Sequence, residues 1–254
     1  GQIESTNPCG EQPLLPYESC NLASINLSKM VKRKHSGYEI DYPKLAHTVK
    51  QGVRFLDNVI DVNRFPLPQI EEQTKKTRKT GLGIMGFADM LMMLGIPYNS
   101  HEALEIAEDL MGFISKKATE ASVELANERG VFPAFTGSIY DKPDMPRVRN
   151  ATRTTIAPTG TLSMIAGCSS GIEPLFALSY TKTVLDGTPF VEVNPYFKEA
   201  AVKGGFYSDD LMKRLAEGEH LSDIKGIPDK VKRVFVTAHD DRAQRRAAPG
   251  HVRG

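Results

Sequence analysis

Cysteine is scarce in this 254-residue chain, and no apolar run comes near the roughly 18 residues needed to cross a bilayer. The three cysteines are Cys9, Cys20 and Cys168. An odd count argues against a disulfide framework. Cys9 and Cys20 are too far apart for a CxxC redox motif, and no histidine lies close enough to complete a zinc pattern. The start, Gly1-Gln2-Ile3-Glu4, has neither the basic opening nor the apolar stretch of a signal peptide. The thiols are therefore expected to stay reduced in a cytoplasm. Without an initiator Met, the chain is read as beginning inside a longer one. Charge of one sign is also lacking. The net charge of +1 predicts no electrostatic attraction to nucleic acid or anionic lipid. Apolar residues at 40% and charged residues at 25% match a soluble globular protein with one large domain or two small ones.

Residues 1–30 are rich in Pro, Gly, Asn and Ser and read as extended or looped, with a short strand over Asn21–Leu27. A helix is expected from about Pro43, burying Leu45, Val49, Val53, Leu56 and Ile60 and ended by Pro66 and Pro68. Gly81-Leu82-Gly83-Ile84-Met85-Gly86 is a literal GxGxxG. The dinucleotide-binding reading needs a buried apolar strand just before it, and charged Lys75–Thr80 stands there instead. A tight turn with close helix packing is the better account, with a short helix over Phe87–Leu94. The longest helix runs from an Ser100 N-cap to about Arg129, stopped by Gly130. Its buried stripe is read as Leu104, Ala107, Met111, Ile114, Ala118, Ala121 and Leu125. Residues 131–150 read as a surface loop. Thr154–Ala157 and Val231–Ala238 are strand candidates, and a strand or helix is expected near Leu175–Tyr180. From Asp241 the chain turns basic, with four arginines and no apolar face, so disorder or a non-native junction is expected over 241–254. Cys168 is read as a small buried hydrophobe.

Chemistry concentrates in two places. On an extended segment Asn7, Cys9 and Glu11 would line one face, offering an amide, a thiol and a carboxylate to one small substrate. On pattern alone a turn with an incidental cysteine reads equally well. Around Pro158, Thr159, Gly160, Thr161 and Ser163, backbone N–H groups and hydroxyls of a Gly-containing turn suit a phosphate. No Walker lysine accompanies them, which fits binding phosphates without cleaving them.

Asn7-Pro8-Cys9-Gly10-Glu11, Pro16-Tyr17-Glu18-Ser19-Cys20-Asn21-Leu22 and Ser24-Ile25-Asn26-Leu27 resemble the finger-loop region of ribonucleotide reductase large subunits. The adenosylcobalamin-dependent class is the most similar. Ala23 stands where that family typically has Gly. Three more blocks follow in the family's order: Arg54–Asp61, Gly81–Leu94, and Ala157–Thr161 through Gly171–Pro174. The resemblance covers roughly residues 3–240.

It implies an α/β fold, part of a ten-stranded barrel with the radical cysteine on an inserted finger loop. It implies that Cys9 forms the thiyl radical and takes the ribose 3′ hydrogen. Glu11 is then the base on the 3′-hydroxyl, Asn7 the amide that holds the hydroxyls, and Cys20 one of two cysteines that supply electrons. The phosphate turn is Pro158 to Ser163. The implied cofactor is adenosylcobalamin, with its cobalt. The substrate is a ribonucleoside di- or triphosphate, reduced for deoxyribonucleotide biosynthesis and DNA replication. Implied partners are the N-terminal half of the same barrel, a thioredoxin-like or dithiol reductant, and a second copy in a homodimer when complete. Residues 1–240 would be the second half of the barrel, poorly soluble alone. The second electron-donating cysteine and any C-terminal cysteine pair lie outside this sequence. A large subunit fed by a separate radical-generating subunit, or an inactive barrel relic, are the alternatives.

Overall fold

The structure, a computed structural model, describes residues 2–183 and 189–240, so the tail expected over 241–254 lies outside the described residues. The chain opens with a hairpin, β1 (Ser5–Thr6) against β2 (Pro13–Leu14), in register Ser5 to Leu14. Then come β3 (Asn21–Asn26) and a second hairpin, β4 (Val31–Lys34) with β5 (Gly37–Ile40). Helices α1 (Tyr42–Val62) and α2 (Pro68–Thr77) lead to β6 (Thr80–Met85). β6 returns parallel to β3, from Asn21 opposite Thr80 to Asn26 opposite Met85. A parallel return needs such a crossover. The backbone of 152–155 lies along β6 in turn. Thr80 N–H donates to Thr152 O (3.1 Å) and Leu82 N–H to Arg153 O (2.8 Å), with a parallel bridge between Leu82 and Thr154. This repeated βα pattern confirms the α/β expectation, and no closed barrel forms among the described residues.

Helix α1 forms as its sequence predicts. Asp41 accepts the Lys44 N–H, Pro43 sits in the first turn, and all five apolar residues of its face are buried. Pro68 does not end that helix, as expected, but opens α2, where its missing N–H costs nothing. After β6 come α3 (Phe87–Leu94) and α4 (His101–Arg129), the latter capped by Ser100. Of its expected stripe, Ile114, Ala118, Ala121 and Leu125 are buried and Ala107 and Met111 pack partly buried against the same core, so Leu104 alone departs. Ala103, Leu110, Ile114, Ala118, Ala121 and Leu125 are buried with the α1 face, whereas Leu104 is 68% exposed. The small Ala118 and Ala121 let the two helices approach closely.

The glycine run is a strand, not the expected tight turn. All six residues of β6 are buried, and only Gly86, with φ +74°, makes the turn into α3. A Cβ at Gly83 would stand 2.2 Å from Thr155 O, and one at Gly81 2.4 Å from Thr155 Cγ2. The glycines therefore serve the close approach of 152–155, which a pattern reading of GxGxxG cannot reveal.

Residues 131–150 are irregular as expected, yet bury Phe132, Phe135 and Val148 in a small core of their own. Beyond the 152–155 segment come α5 (Gly160–Ala166), the antiparallel pair β7 (Ser179–Thr183) and β8 (Pro189–Val193), α6 (Pro195–Lys203) and α7 (Asp209–Ala216). The last helix, α8 (Asp229–Val234), replaces the strand expected over Val231–Ala238. Val231, Val234 and Phe235 share a helical face packed toward Phe197, so packing overrides β propensity. Only Thr237 keeps a strand-like bridge, to Leu175.

One buried carboxylate ties these parts together. Asp57 of α1 is fully buried. Its Oδ1 accepts from Arg78 Nε (2.9 Å) and Asn150 Nδ2 (3.0 Å), and its Oδ2 from Arg129 Nη1 (3.0 Å). Arg78 also donates to Asp61 Oδ1 (2.8 Å) and to Asp57 O (2.9 Å). The hydrogen bond from Arg78 holds the Asp61 carboxyl below its usual range. Asp57→Ala takes the buried carboxylate from Arg78, Arg129 and Asn150 at once, so a loss of about 3–5 kcal/mol is expected in guanidinium denaturation. Lys50→Ala, which removes a half-exposed pair with Glu124, should cost no more than about 1 kcal/mol. Equal losses would show that the network adds nothing beyond a surface ion pair.

Candidate active site

The β1–β2 hairpin places Asn7, Cys9 and Glu11 on its connecting loop. They do not alternate along an extended strand, as expected. Gly10 N–H donates to Asn7 O (3.0 Å) and Asn7 N–H to Gln12 O (3.3 Å), closing a tight turn. Pro8 suits the second position of that turn, and Gly10 takes φ +83°. The turn separates the side chains by environment. Cys9 is exposed at the tip. Asn7 Oδ1 accepts the Gln12 N–H (3.0 Å), leaving the amide NH2 end to donate to a ligand. Glu11 is partly buried, and its Oε2 is a buried acceptor without a hydrogen-bond partner among the described residues.

Two features hold the loop against the sheet. Thr155 Oγ1 donates to Glu11 O (3.0 Å), tying the loop to the segment beside β6. Lys79, the residue before β6, donates to Pro13 O (3.0 Å). Cys20 sits just before β3 and is half-buried. Burial pushes its thiol up to about 11, the Glu11 and Glu18 carboxylates push in the same direction, and Lys79 opposes them. The structure thus brings Glu11 and Cys20 into one electrostatic neighbourhood.

The expected phosphate turn is the start of α5. Its first helical bond runs from Ser163 N–H to Thr159 O (2.8 Å), so the N–H groups of Gly160, Thr161 and Leu162 have no helical acceptor. Pro158, Gly160 and Thr161 are exposed, and nothing lies within 4 Å of where a Gly160 Cβ would stand. The two other hydroxyls are turned to internal work. Thr159 Oγ1 accepts the Gly171 N–H (2.7 Å). Ser163 Oγ donates to Gly160 O (3.0 Å) and lies 2.8 Å from Ser170 Oγ. Thr155 and Thr159 are four residues apart, so the Glu11 anchor and the turn lie within about 14 Å along the chain.

Cys168 is half-buried rather than a fully buried hydrophobe. Burial first, then the Asp89 carboxylate, pushes its thiol up to about 11. Asp89 is itself buried and accepts the Ser169 N–H (2.7 Å), pinning the turn after α5 to α3. Sequence reasoning missed Thr155, Glu18 and Lys79. Glu18 stood inside a quoted block without a role, and nothing in the charged run 75–80 distinguished Lys79 from its neighbours.

The sequence profile of the ribonucleotide reductase barrel domain matches residues 1–147 and 144–247. The vitamin B12-dependent ribonucleoside-diphosphate reductase of Thermoplasma acidophilum is 58% identical over 240 residues, 94% of this chain and 31% of that protein. The enzyme of the same name from Mycobacterium tuberculosis is 48% identical over 238 residues, 94% of this chain and 33% of that protein. The chain therefore spans about a third of the length of these curated relatives. Among solved structures, the class Id ribonucleotide reductase alpha subunit of Actinobacillus ureae superposes with a TM-score of 0.72 at 22% identity, over 92% of this chain and 42% of that one. That likeness supports the fold.

With its thiol near 11, Cys20 should hold only about one part in a thousand of thiolate at pH 8. Its iodoacetamide labelling, resolved by peptide mass spectrometry, should therefore keep rising through pH 10. A plateau by pH 9 would contradict the burial seen here.

Proposed function

The chain belongs to the ribonucleotide reductase barrel-domain family, and we propose that it carries the radical cysteine, the general base and one reducing thiol for converting ribonucleoside diphosphates to 2′-deoxyribonucleotides. The observation that carries this reading is Glu11 Oε2, a buried carboxylate oxygen without a partner among the described residues, on the same turn as the exposed Cys9. An orphaned buried acceptor is costly, so a ligand hydroxyl is its natural complement.

In this reading Cys9, as a thiyl radical, takes the 3′ hydrogen of the ribose. Glu11 accepts the 3′-hydroxyl proton. The Asn7 NH2 end donates to the ribose oxygens and fixes their orientation. The 2′-hydroxyl leaves as water while Cys20 and a second thiol close to a disulfide, and Cys9 then returns its hydrogen. The phosphates sit on the N–H groups of Gly160 and Thr161, beside Pro158, with the Thr159 and Ser163 hydroxyls shaping the turn from within. The names of the two relatives favour the diphosphate and point to adenosylcobalamin. The site fits that cofactor in one respect: the Pro8–Gly10 turn is open, with nothing within 4 Å of a Gly10 Cβ, so a bulky group can reach the Cys9 thiol. When bound, adenosylcobalamin supplies the unpaired electron that starts the reaction.

The rest of the reading concerns what completes the site. β3, β6 and the 152–155 segment are consecutive staves of a ten-stranded barrel, and the 5–14 hairpin is its finger loop. An N-terminal half supplies the remaining staves and the second reducing cysteine. The exposed Leu162, Met164 and Ile165 of α5 support such a cover, since Ile165 alone is 80% exposed. A thioredoxin-like or small dithiol reopens the disulfide. The whole is a cytoplasmic homodimer in deoxyribonucleotide supply for DNA replication. No helix among the described residues is long and apolar enough to cross a membrane.

Deoxynucleotide formation tests the proposal, with adenosylcobalamin, a dithiol and the chain mixed with the N-terminal part of the Thermoplasma reductase. Activity should need both parts. Cys9→Ala should abolish it, and Glu11→Gln should lower kcat by about 10²–10⁴-fold. Activity restored only by a separate radical-generating subunit would reassign the cofactor. No activity under either condition would favour an inactive relic.

A further inference from the structure

Among the described residues Lys79 is the one cation that acts on the Cys20 thiol, and the chemistry above gives it no role. Its side chain is only 14% exposed and its partner Glu18 not at all. Two of its three N–H donors are spent on separate pieces of chain. One reaches Pro13 O on β2 (3.0 Å), the other Glu18 Oε2 (2.7 Å). Glu18 is in turn fully engaged. Its Oε2 also accepts the Leu15 N–H (2.8 Å), and its Oε1 accepts from Thr77 Oγ1 at the end of α2 (2.5 Å). Ser19 continues the clamp, with its hydroxyl 2.8 Å from Thr74 Oγ1. Lys79 therefore joins the hairpin bearing Cys9 and Glu11, the turn leading to Cys20, and the start of β6.

We propose that Lys79 is a positioning residue for Cys20: it fixes the segment bearing that thiol against the hairpin and offsets the Glu11 and Glu18 carboxylates that face it. This deepens the reading of Cys20 as a reducing thiol and rests on it. In the reduction two S–H bonds break and one S–S bond forms. One hydrogen ends on the ribose 2′ carbon, the other on the departing water, and an external dithiol later reverses the disulfide. Two uncompensated carboxylates would resist the charge that builds on Cys20 sulfur as its proton leaves. The charged groups that act on the thiol are Glu11 of the hairpin loop, Glu18 of the turn and Lys79 before β6; α2 contributes only the hydroxyls of Thr74 and Thr77.

The test is site-resolved iodoacetamide labelling of the chain at pH 9, with Cys9 and Cys168 as internal references. Lys79→Met should slow Cys20 labelling about fivefold or more, and Lys79→Arg should restore it to within about twofold. Glu18→Gln, which removes a charge of the other sign at the same place, should speed it. A residue that only held the loop shut would act oppositely, since loosening exposes the thiol and speeds labelling in every variant. Unchanged or faster Cys20 labelling in Lys79→Met, or slower labelling in Glu18→Gln, would overturn the proposal. Labelling needs no turnover, so its outcome is independent of the reductase assay.

Discussion

Everything near the site hangs from the carboxylate of Asp57. It lies near the end of α1 and is held by Arg78, Arg129 and Asn150, from the ends of α2 and α4 and the approach to the 152–155 segment. A buried ion pair is rarely worth much net stability, because desolvation cancels most of the attraction. Its value here is geometric. Arg78 can satisfy Asp57 and Asp61 together only in one position, and the next residues are Lys79 and the start of β6. Asn150 bonds both Asp57 Oδ1 and Arg78 O, so the third strand segment begins from the same anchor. The pairing of β6 with 152–155 thus begins beside these two residues.

The constraint then passes outward to the reactive groups. Thr155 holds Glu11 O, and Lys79 holds Pro13 O and Glu18. Backbone strain marks the same route. Among the described residues, Tyr17, Arg78 and Thr159 are the non-glycine residues with positive φ, at 58°, 49° and 56°. Each costs roughly 1–2 kcal/mol. Tyr17 lies in the turn before Glu18, Arg78 beside Lys79, and Thr159 at the head of α5. Strain that persists at these three joints, beside the hairpin, Cys20 and the start of α5, is consistent with the site proposed there.

The sequence shows the long helices well because their signals are local and redundant. α1 has a cap, a first-turn proline and an apolar repeat; α4 has Ser100 and Gly130. What it hides depends on contacts between distant residues. β6 looks like a turn because its glycines answer to Thr155, about seventy residues on. α8 looks like a strand because Val234 and Phe235 are β formers until Phe197 offers a helix face something to pack on. The resemblance points to Asn7, Cys9, Glu11 and Cys20, but not to their arrangement: a proline and a positive-φ glycine convert an apparent alternation into a turn. Thr155 was invisible because its role exists through a backbone oxygen, which any residue can supply, and Lys79 because its partners, Pro13 O and the Glu18 carboxylate, lie far away in sequence.

The turn also resolves a conflict in the chemistry proposed for it. A radical-bearing thiol must be open to its generator, whereas a base must keep an acceptor oxygen free of competing partners. On a strand, Cys9 and Glu11 would share one environment. On the turn, Cys9 is exposed and Glu11 Oε2 is buried two residues away. The same burial, with Glu11 and Glu18 near it, pushes the Cys20 thiol to about 11. A thiol that holds its proton so firmly is a slow nucleophile toward stray disulfides and oxidants. In the proposed reduction it gives up that hydrogen as the 2′-hydroxyl leaves. The three reactive groups are therefore kept apart by environment rather than by distance along the chain. In the role proposed for it, Lys79, next to Arg78 and so to Asp57, keeps that protection from becoming a block.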